Sequence, residues 1–144
     1  MASDWKGGGI VAVKQYQDLI ARQRAIALVT DIYKMSSSFP RDEMYGLTSQ
    51  LRRAAVSVPT SIAEGQGRAS SGEFIQFLGH ARGSLFELET QVIVAHNLTY
   101  LSDAQCEALT AKISGLGRIL NGLITSVQRR KETGSSHPPL ATGH

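Results

Sequence analysis

The stretch FIQFLGHARGSLFELETQVIVA, residues 74–95, sets an apolar side chain alternately every four and every three residues: Phe74, Leu78, Ala81, Leu85, Leu88, Val92 and Ala95. That spacing puts all seven on one side of an α-helix. Cys106, Leu109, Ile113, Leu116, Leu120, Leu123 and Val127 repeat the pattern in the next segment. An apolar seam of this length is buried only against other helices. The chain is therefore expected to be all-α, built from long antiparallel helices.

Boundary signals around the two seams agree. Ser70-Ser71-Gly72-Glu73 has the spacing of a capping box and opens a helix expected to reach about Tyr100. At ~1.5 Å per residue that helix is about 40 Å long. Ser102-Asp103-Ala104-Gln105 is a second box and opens a helix expected to end near Arg130. A link as short as Leu101-Ser102 makes the two antiparallel neighbours.

Two more helices precede them. The first is expected from about Lys14 to about Ser36, where Leu19, Ile20, Ile26, Ala27, Val29, Ile32 and Tyr33 make a broad apolar face before Pro40 stops it. The second is expected to begin near Asp42 and Glu43, with a stripe of Met44, Leu47, Leu51, Ala54, Val58 and Ile62. Pro59 predicts a kink in it, and Gly65 and Gly67 predict an end in left-handed backbone. Four amphipathic helices with short links predict an up-and-down four-helix bundle over residues 14–131. Residues 1–13 read as a flexible segment and residues 132–144, rich in Gly, Ser and Pro, as a disordered tail.

Composition sets limits on function. The chain has 144 residues, 42% of them hydrophobic and 19% charged, the profile of one ordinary globular domain. The single cysteine, Cys106, excludes an internal disulfide and lies on an apolar seam, as a small buried hydrophobe would. No apolar run is long enough to span a membrane and no signal peptide is evident, so a cytoplasmic protein is expected. The formal charge is +3, and Arg outnumbers Lys ten to five. That excess permits contact with nucleic acid without requiring it.

A search for reaction chemistry finds little. A di-iron bundle needs Glu-x-x-His pairs, but Phe77 and Ile93 stand three residues before His80 and His96. Zinc spacing is absent, and no metal or cofactor is expected. Arg130 and His137 match an Arg-x6-His spacing, but His137 falls in the Gly/Ser/Pro tail. Gly65-Gln66-Gly67 lacks the strand and lysine of a phosphate loop. The expectation is a protein that is not an enzyme.

The polar lines carry more. Arg53, Ser57, Thr60, Ser61, Glu64 and Arg68 share one side of the second helix, which suits a solvated face, a subunit contact or a phosphate-binding surface. On the third helix the apolar surplus at Ile75, Phe86, Ile93 and Tyr100, with Gly79, Arg82, Gly83 and Glu89 beside it, suggests an oligomer contact. Gly79 and Gly83 each cost ~1 kcal/mol in a helix interior, which close approach of a neighbour would offset. Arg52, Arg53, Arg68, Arg118, Arg129 and Arg130 are the candidate phosphate contacts. Two readings stay open: an adaptor that binds RNA or DNA, and a protein-only scaffold.

Several motifs in order resemble a known family. They are Tyr16-Gln17-Asp18-Leu19, Phe39-Pro40, Tyr45-Gly46-Leu47-Thr48-Ser49-Gln50-Leu51-Arg52-Arg53-Ala54, Ser61-Ile62-Ala63-Glu64-Gly65-Gln66-Gly67-Arg68 and Gly83-Ser84-Leu85-Phe86-Glu87-Leu88-Glu89-Thr90. Together, over about residues 15–128, they resemble the bacterial S23-like four-helix bundle proteins, first associated with intervening sequences in large-subunit ribosomal RNA genes. The resemblance implies a ring-like homopentamer. It also implies distant kinship with the accessory variability proteins of diversity-generating retroelements, which bind nucleic acid and a reverse transcriptase. The chain departs from the family in carrying Arg22 where members often have an aromatic residue.

Overall fold

The computed structural model describes residues 9–136, with side chains for residues 16–132. Four helices fill it: α1 (Gly9–Ser36), α2 (Leu47–Gln66), α3 (Ser71–Asn97) and α4 (Asp103–Ser136), with a 3-10 turn at Arg41–Glu43. No strand occurs among the described residues. Paired positions fix the directions. Arg22 meets Gln66 and Arg52 meets Ser36 between α1 and α2. Arg82 meets Asn121 and His96 meets Asp103 between α3 and α4. In each pair of helices one number rises as the other falls, so neighbours are antiparallel. The fold is the expected up-down-up-down bundle.

The two seams are its core. All seven seam residues of α3 are buried, and so are Leu109, Ile113, Leu116, Leu120, Leu123 and Val127 of α4. Cys106 is half-buried and packs against them. On α1 the buried line is Asp18, Ala21, Ala25, Leu28 and Ile32, while Leu19, Ile26 and Tyr33 stay exposed. The broad face expected there is therefore split, and its larger residues mostly point away from the core. Alanines let α1 lie close to its neighbours, whereas the exposed line needs another surface to cover it.

Several boundaries differ from the expected ones, each for a local reason. α1 starts at Gly9 rather than Lys14, because nothing in Ile10-Val11-Ala12-Val13 stops a helix from propagating. α4 continues past Arg130 to Ser136. Residues 1–8 and 137–144, including His137, lie outside the described residues. α2 starts at Leu47 rather than Asp42, since Gly46 (φ −113°, ψ −113°) breaks the path. Glu43 still serves the helix start: its Oε1 accepts the Leu47 N–H at 3.0 Å. Met44 consequently sits outside α2, half exposed. α2 continues through Pro59. Its cap residue Gly67 has φ −84°, so this end is right-handed and not the left-handed one expected.

The capping box at Ser102 forms in full, and the one at Ser70 forms its serine half. Ser70 Oγ accepts from Glu73 N at 3.1 Å. Ser102 and Gln105 exchange both bonds, at 2.9 and 3.1 Å. α3 ends at Asn97, earlier than expected, and Thr99 turns the link with φ 64°. Tyr100 then donates its hydroxyl to Glu43 Oε2 at 2.9 Å, tying the α3–α4 link to the α1–α2 link. That bond to a carboxylate, followed by burial and the Glu43 and Asp42 charges, raises the Tyr100 pKa above 10.0. The tie needs the neutral phenol. It is thus intact below the ordinary tyrosine pKa and lost as pH rises through the raised one.

One glycine is demanded by packing. A Cβ at buried Gly65 would lie 2.9 Å from Phe74 Cδ1 and 2.9 Å from Phe77 Cβ. The Phe77 atom is next to the backbone, so α3 itself would have to shift. Gly65→Ala is expected to cost about 1–2 kcal/mol, overpacking outweighing the gain in helix propensity. A urea midpoint at or above that of the parent protein would refute this close contact.

Candidate nucleic-acid interface

The six arginines expected to contact phosphate do not form one surface. Arg52 is folded back on its own chain. Its Nε donates to Ser36 Oγ at 2.9 Å, its Nη2 donates to the Tyr33 carbonyl at 3.4 Å, and its guanidinium lies 4.6 Å from the Tyr33 ring centroid. It pins the last turn of α1, whose carbonyls lack helical partners. Arg53 is exposed one position on, donating to Ser49 Oγ at 3.3 Å. Arg68 stacks on Phe77, 4.7 Å from the centroid, at the other end of the bundle. Arg129 and Arg130 lie on the last turns of α4, and Arg130 Nη2 is buried without a hydrogen-bond partner among the described residues.

Arg118 sits elsewhere and in basic company. α1 and α4 share the least extensive contact of the neighbouring helices, and a groove of about 640 Å³ runs between them. Leu28, Leu116, Ala27 and Ala111 floor it, and Arg24, Lys112 and Arg118 rim it. Its one carboxylate, Asp31, is held by Lys112 with Nζ 2.6 Å from Oδ2. Neither Arg24 nor Arg118 makes an ion pair or hydrogen bond among the described residues, and both are exposed. Lys112 and Arg118 lie about 9 Å apart along the helix at 1.5 Å per residue. Such a rim suits successive phosphates of a nucleic-acid backbone. Sequence alone does not single out Arg24 or Lys112. The signal for Arg24 is its place on the line Ile20, Arg24, Ala27 and Asp31, which becomes a groove wall only once α4 is set beside it.

The expected oligomer-contact residues share one outer face of α3. Phe86 is 62% exposed and Glu89 is half-buried. Arg82 Nη1 donates to Asn121 Oδ1 at 2.9 Å. A Cβ at Gly79 or Gly83 would meet nothing within 4 Å. Within the chain, therefore, no neighbour offsets the cost of those two glycines. Among the described residues no group of His, Cys, Asp and Glu could hold a metal ion, and no helix is long and apolar enough to cross a membrane.

No curated protein shows significant similarity to the chain. Among solved structures, a protein of unknown function from the S23 ribosomal protein family of Bacteroides thetaiotaomicron shares the fold. The two are 17% identical with a TM-score of 0.71, over 76% of this chain and 98% of that one. The family model described as 23S rRNA-intervening sequence protein matches residues 17–122. Those residues contain every motif that carried the resemblance except Tyr16, and they span the bundle from α1 into α4; the chain belongs to the 23S rRNA-intervening sequence protein family.

Proposed function

We propose that this protein is a non-enzymatic, self-assembling adaptor that binds RNA or DNA backbone along the α1–α4 groove. The observation that carries the reading is the convergence of Arg24, Lys112 and Arg118 on a groove with a single carboxylate, already paired. Three cations are too few for tight binding by one copy, so affinity comes from repetition around an oligomer. The number five for that oligomer, and a reverse transcriptase as a further partner, rest on the resemblance alone. The family's association with an intervening sequence of 23S rRNA is in keeping with an RNA ligand. A cytoplasmic location belongs to the same proposal. Phosphate contacts lie on Arg24, Lys112 and Arg118, with Arg53, Arg68 and Arg129 outside the groove.

The rival reading is a protein-only scaffold, and exposed Tyr33, Met44, Tyr45 and Val56 favour it. Salt separates the two. RNA and DNA titrations at two salt concentrations should show log affinity falling by ~0.7–0.9 per phosphate neutralised for each tenfold rise in salt. Absence of binding at low salt would establish the scaffold instead.

A further inference from the structure

The side of α2 that faces α3 carries polar residues that the apolar core does not use. The hydroxyls of Ser57 and Ser84 hydrogen-bond to each other across the two helices. Because α2 and α3 are antiparallel, stepping back from Ser57 on α2 keeps level with stepping forward from Ser84 on α3. Arg53 and Glu87 come first, about 6 and 4.5 Å from the serine pair along the helix axes. Gln50 and Gln91 follow, each about 10.5 Å from that pair. A cleft of about 440 Å³ opens here, lined by Gln50, Arg53, Ala54, Ser57 and Glu87. Two of its features lack partners. Arg53 and Glu87 stand on opposite walls with opposite charges, both exposed, yet they form no ion pair among the described residues. The bond that Arg53 does make is to Ser49 Oγ at 3.3 Å. Gln91 is 9% exposed, and its Oε1 is buried without a hydrogen-bond partner among the described residues. Native interiors seldom leave such an acceptor unpaired, because its lost hydration is not repaid. Gln91 stands seven residues after Ser84 on the same line of α3, so it faces α2 at the Gln50 end of the cleft.

We propose that the α2–α3 cleft binds a free α-amino acid that carries a side-chain amide. One cation and one anion on facing walls suit a zwitterion better than a phosphate or a lone carboxylate. Arg53 donates two parallel N–H bonds to the α-carboxylate, and Glu87 accepts from the ammonium group. Gln50 and Gln91 stand about one helical turn further on, about 5.4 Å, which an extended side chain of two or three carbons spans. There the ligand's amide N–H donates to Gln91 Oε1, and its carbonyl accepts from the Gln50 amide. Ala54 lies buried beside both levels, and its small side chain leaves the ligand's carbon chain room. The buried acceptor supplies the selectivity: an analogue without the amide donor leaves Gln91 unpaired. This site lies on α2 and α3, apart from the α1–α4 groove, and the proposal stands whether or not that groove binds nucleic acid.

The test is calorimetric titration of the full chain with L-glutamine. Saturable binding of one molecule per chain is expected, with a Kd below about 1 mM. Three analogues probe the three contacts. N-acetyl-L-glutamine lacks the ammonium group, L-glutamine methyl ester lacks the carboxylate, and L-glutamate replaces the amide donor by an acceptor. Each should bind at least tenfold more weakly than L-glutamine. Arg53→Ala and Glu87→Gln, both at exposed positions, should each weaken L-glutamine binding at least tenfold while circular dichroism shows an unchanged helix content. Gln91→Leu keeps the volume and removes the unpaired acceptor, so it should fold as well as the parent protein. In that variant L-glutamine should bind no better than L-norvaline, which has no amide; a purely structural Gln91 would leave that preference untouched. Absence of binding at 10 mM, on the order of ten times the expected Kd, would overturn the proposal, since Arg53 and Glu87 would then simply close on each other as a surface ion pair. Binding that survives Arg53→Ala and Glu87→Gln undiminished, or that fails to distinguish L-glutamine from its analogues, would overturn it equally.

Discussion

Leu88→Ala is expected to lower the melting temperature by roughly 10 °C, a large effect for a single truncation. Leu88 is 0% exposed and sits at the middle of the α3 seam. Truncating a leucine in such a place removes its transfer energy and leaves a cavity, together about 3–5 kcal/mol. For a domain of this size each kcal/mol moves the midpoint by about 2–4 °C. Phe86→Ala, two residues earlier, is the informative contrast. Its side chain is larger, yet it points outward, so in dilute solution the change is expected within about 0.5 kcal/mol. At higher concentration the Phe86 effect should grow, because assembly adds stability by mass action. Thermal melts followed by circular dichroism at two protein concentrations check both. A Leu88→Ala shift below about 3 °C would mean that the seam is not the core.

The seams are legible in the sequence because their signal is redundant. Each has seven apolar residues in strict alternation, and Leu85, Leu88, Leu116 and Leu120 admit only a buried place. The serine caps at Ser70 and Ser102 are legible because capping is chemistry within one turn. The buried face of α1 is not, because burial there goes to small residues. Leu19, Ile26 and Tyr33 outweigh Ala21 and Ala25 on any apolar scale, but the space beside α1 holds alanine. The start of α2 is hidden because Glu43 acts from outside the helix, across Gly46. Gly65 resembles a helix end, and the reason for it is the α3 side chains Phe74 and Phe77. That reason appears only when the two helices are side by side.

The candidate interface is less legible, for a related reason. Arg52-Arg53 and Arg129-Arg130 stand out as adjacent pairs, but neighbours in a helix diverge by about 100° and need not share a surface. Arg52 illustrates it: the bonds to Ser36 and Tyr33 turn its guanidinium to structural use while Arg53 stays exposed. Arg24 and Arg118 are far apart in sequence and meet only through the antiparallel register of α1 and α4. The ion pair of Asp31 with Lys112 marks that register. Seven residues back along α1 and six forward along α4 lead from that pair to Arg24 and Arg118.

Arg24→Ala/Arg118→Ala is the substitution that should most change nucleic-acid binding. Both residues are exposed, so the pair of changes should leave the melting temperature within the range of ordinary surface substitutions. Each lost phosphate contact is worth about 0.2–1 kcal/mol at an exposed site, so the pair costs roughly tenfold in affinity per copy engaged. Repetition multiplies this: three copies on one strand would lose about a thousandfold. The salt dependence should flatten in step, by about 1.4 in the slope of log affinity against log salt per engaged copy on a single strand. The control is Lys34→Ala/Arg41→Ala, which removes the same charge from exposed positions at the far end of α1 and in the 3-10 turn. If attraction were spread over the whole basic surface, the two double variants would weaken binding equally. An equal loss would therefore remove the α1–α4 groove from the mechanism and leave only a diffuse positive charge. A slope that flattens for Arg24→Ala/Arg118→Ala alone places the backbone in that groove, since only contacts made there release counterions when they form.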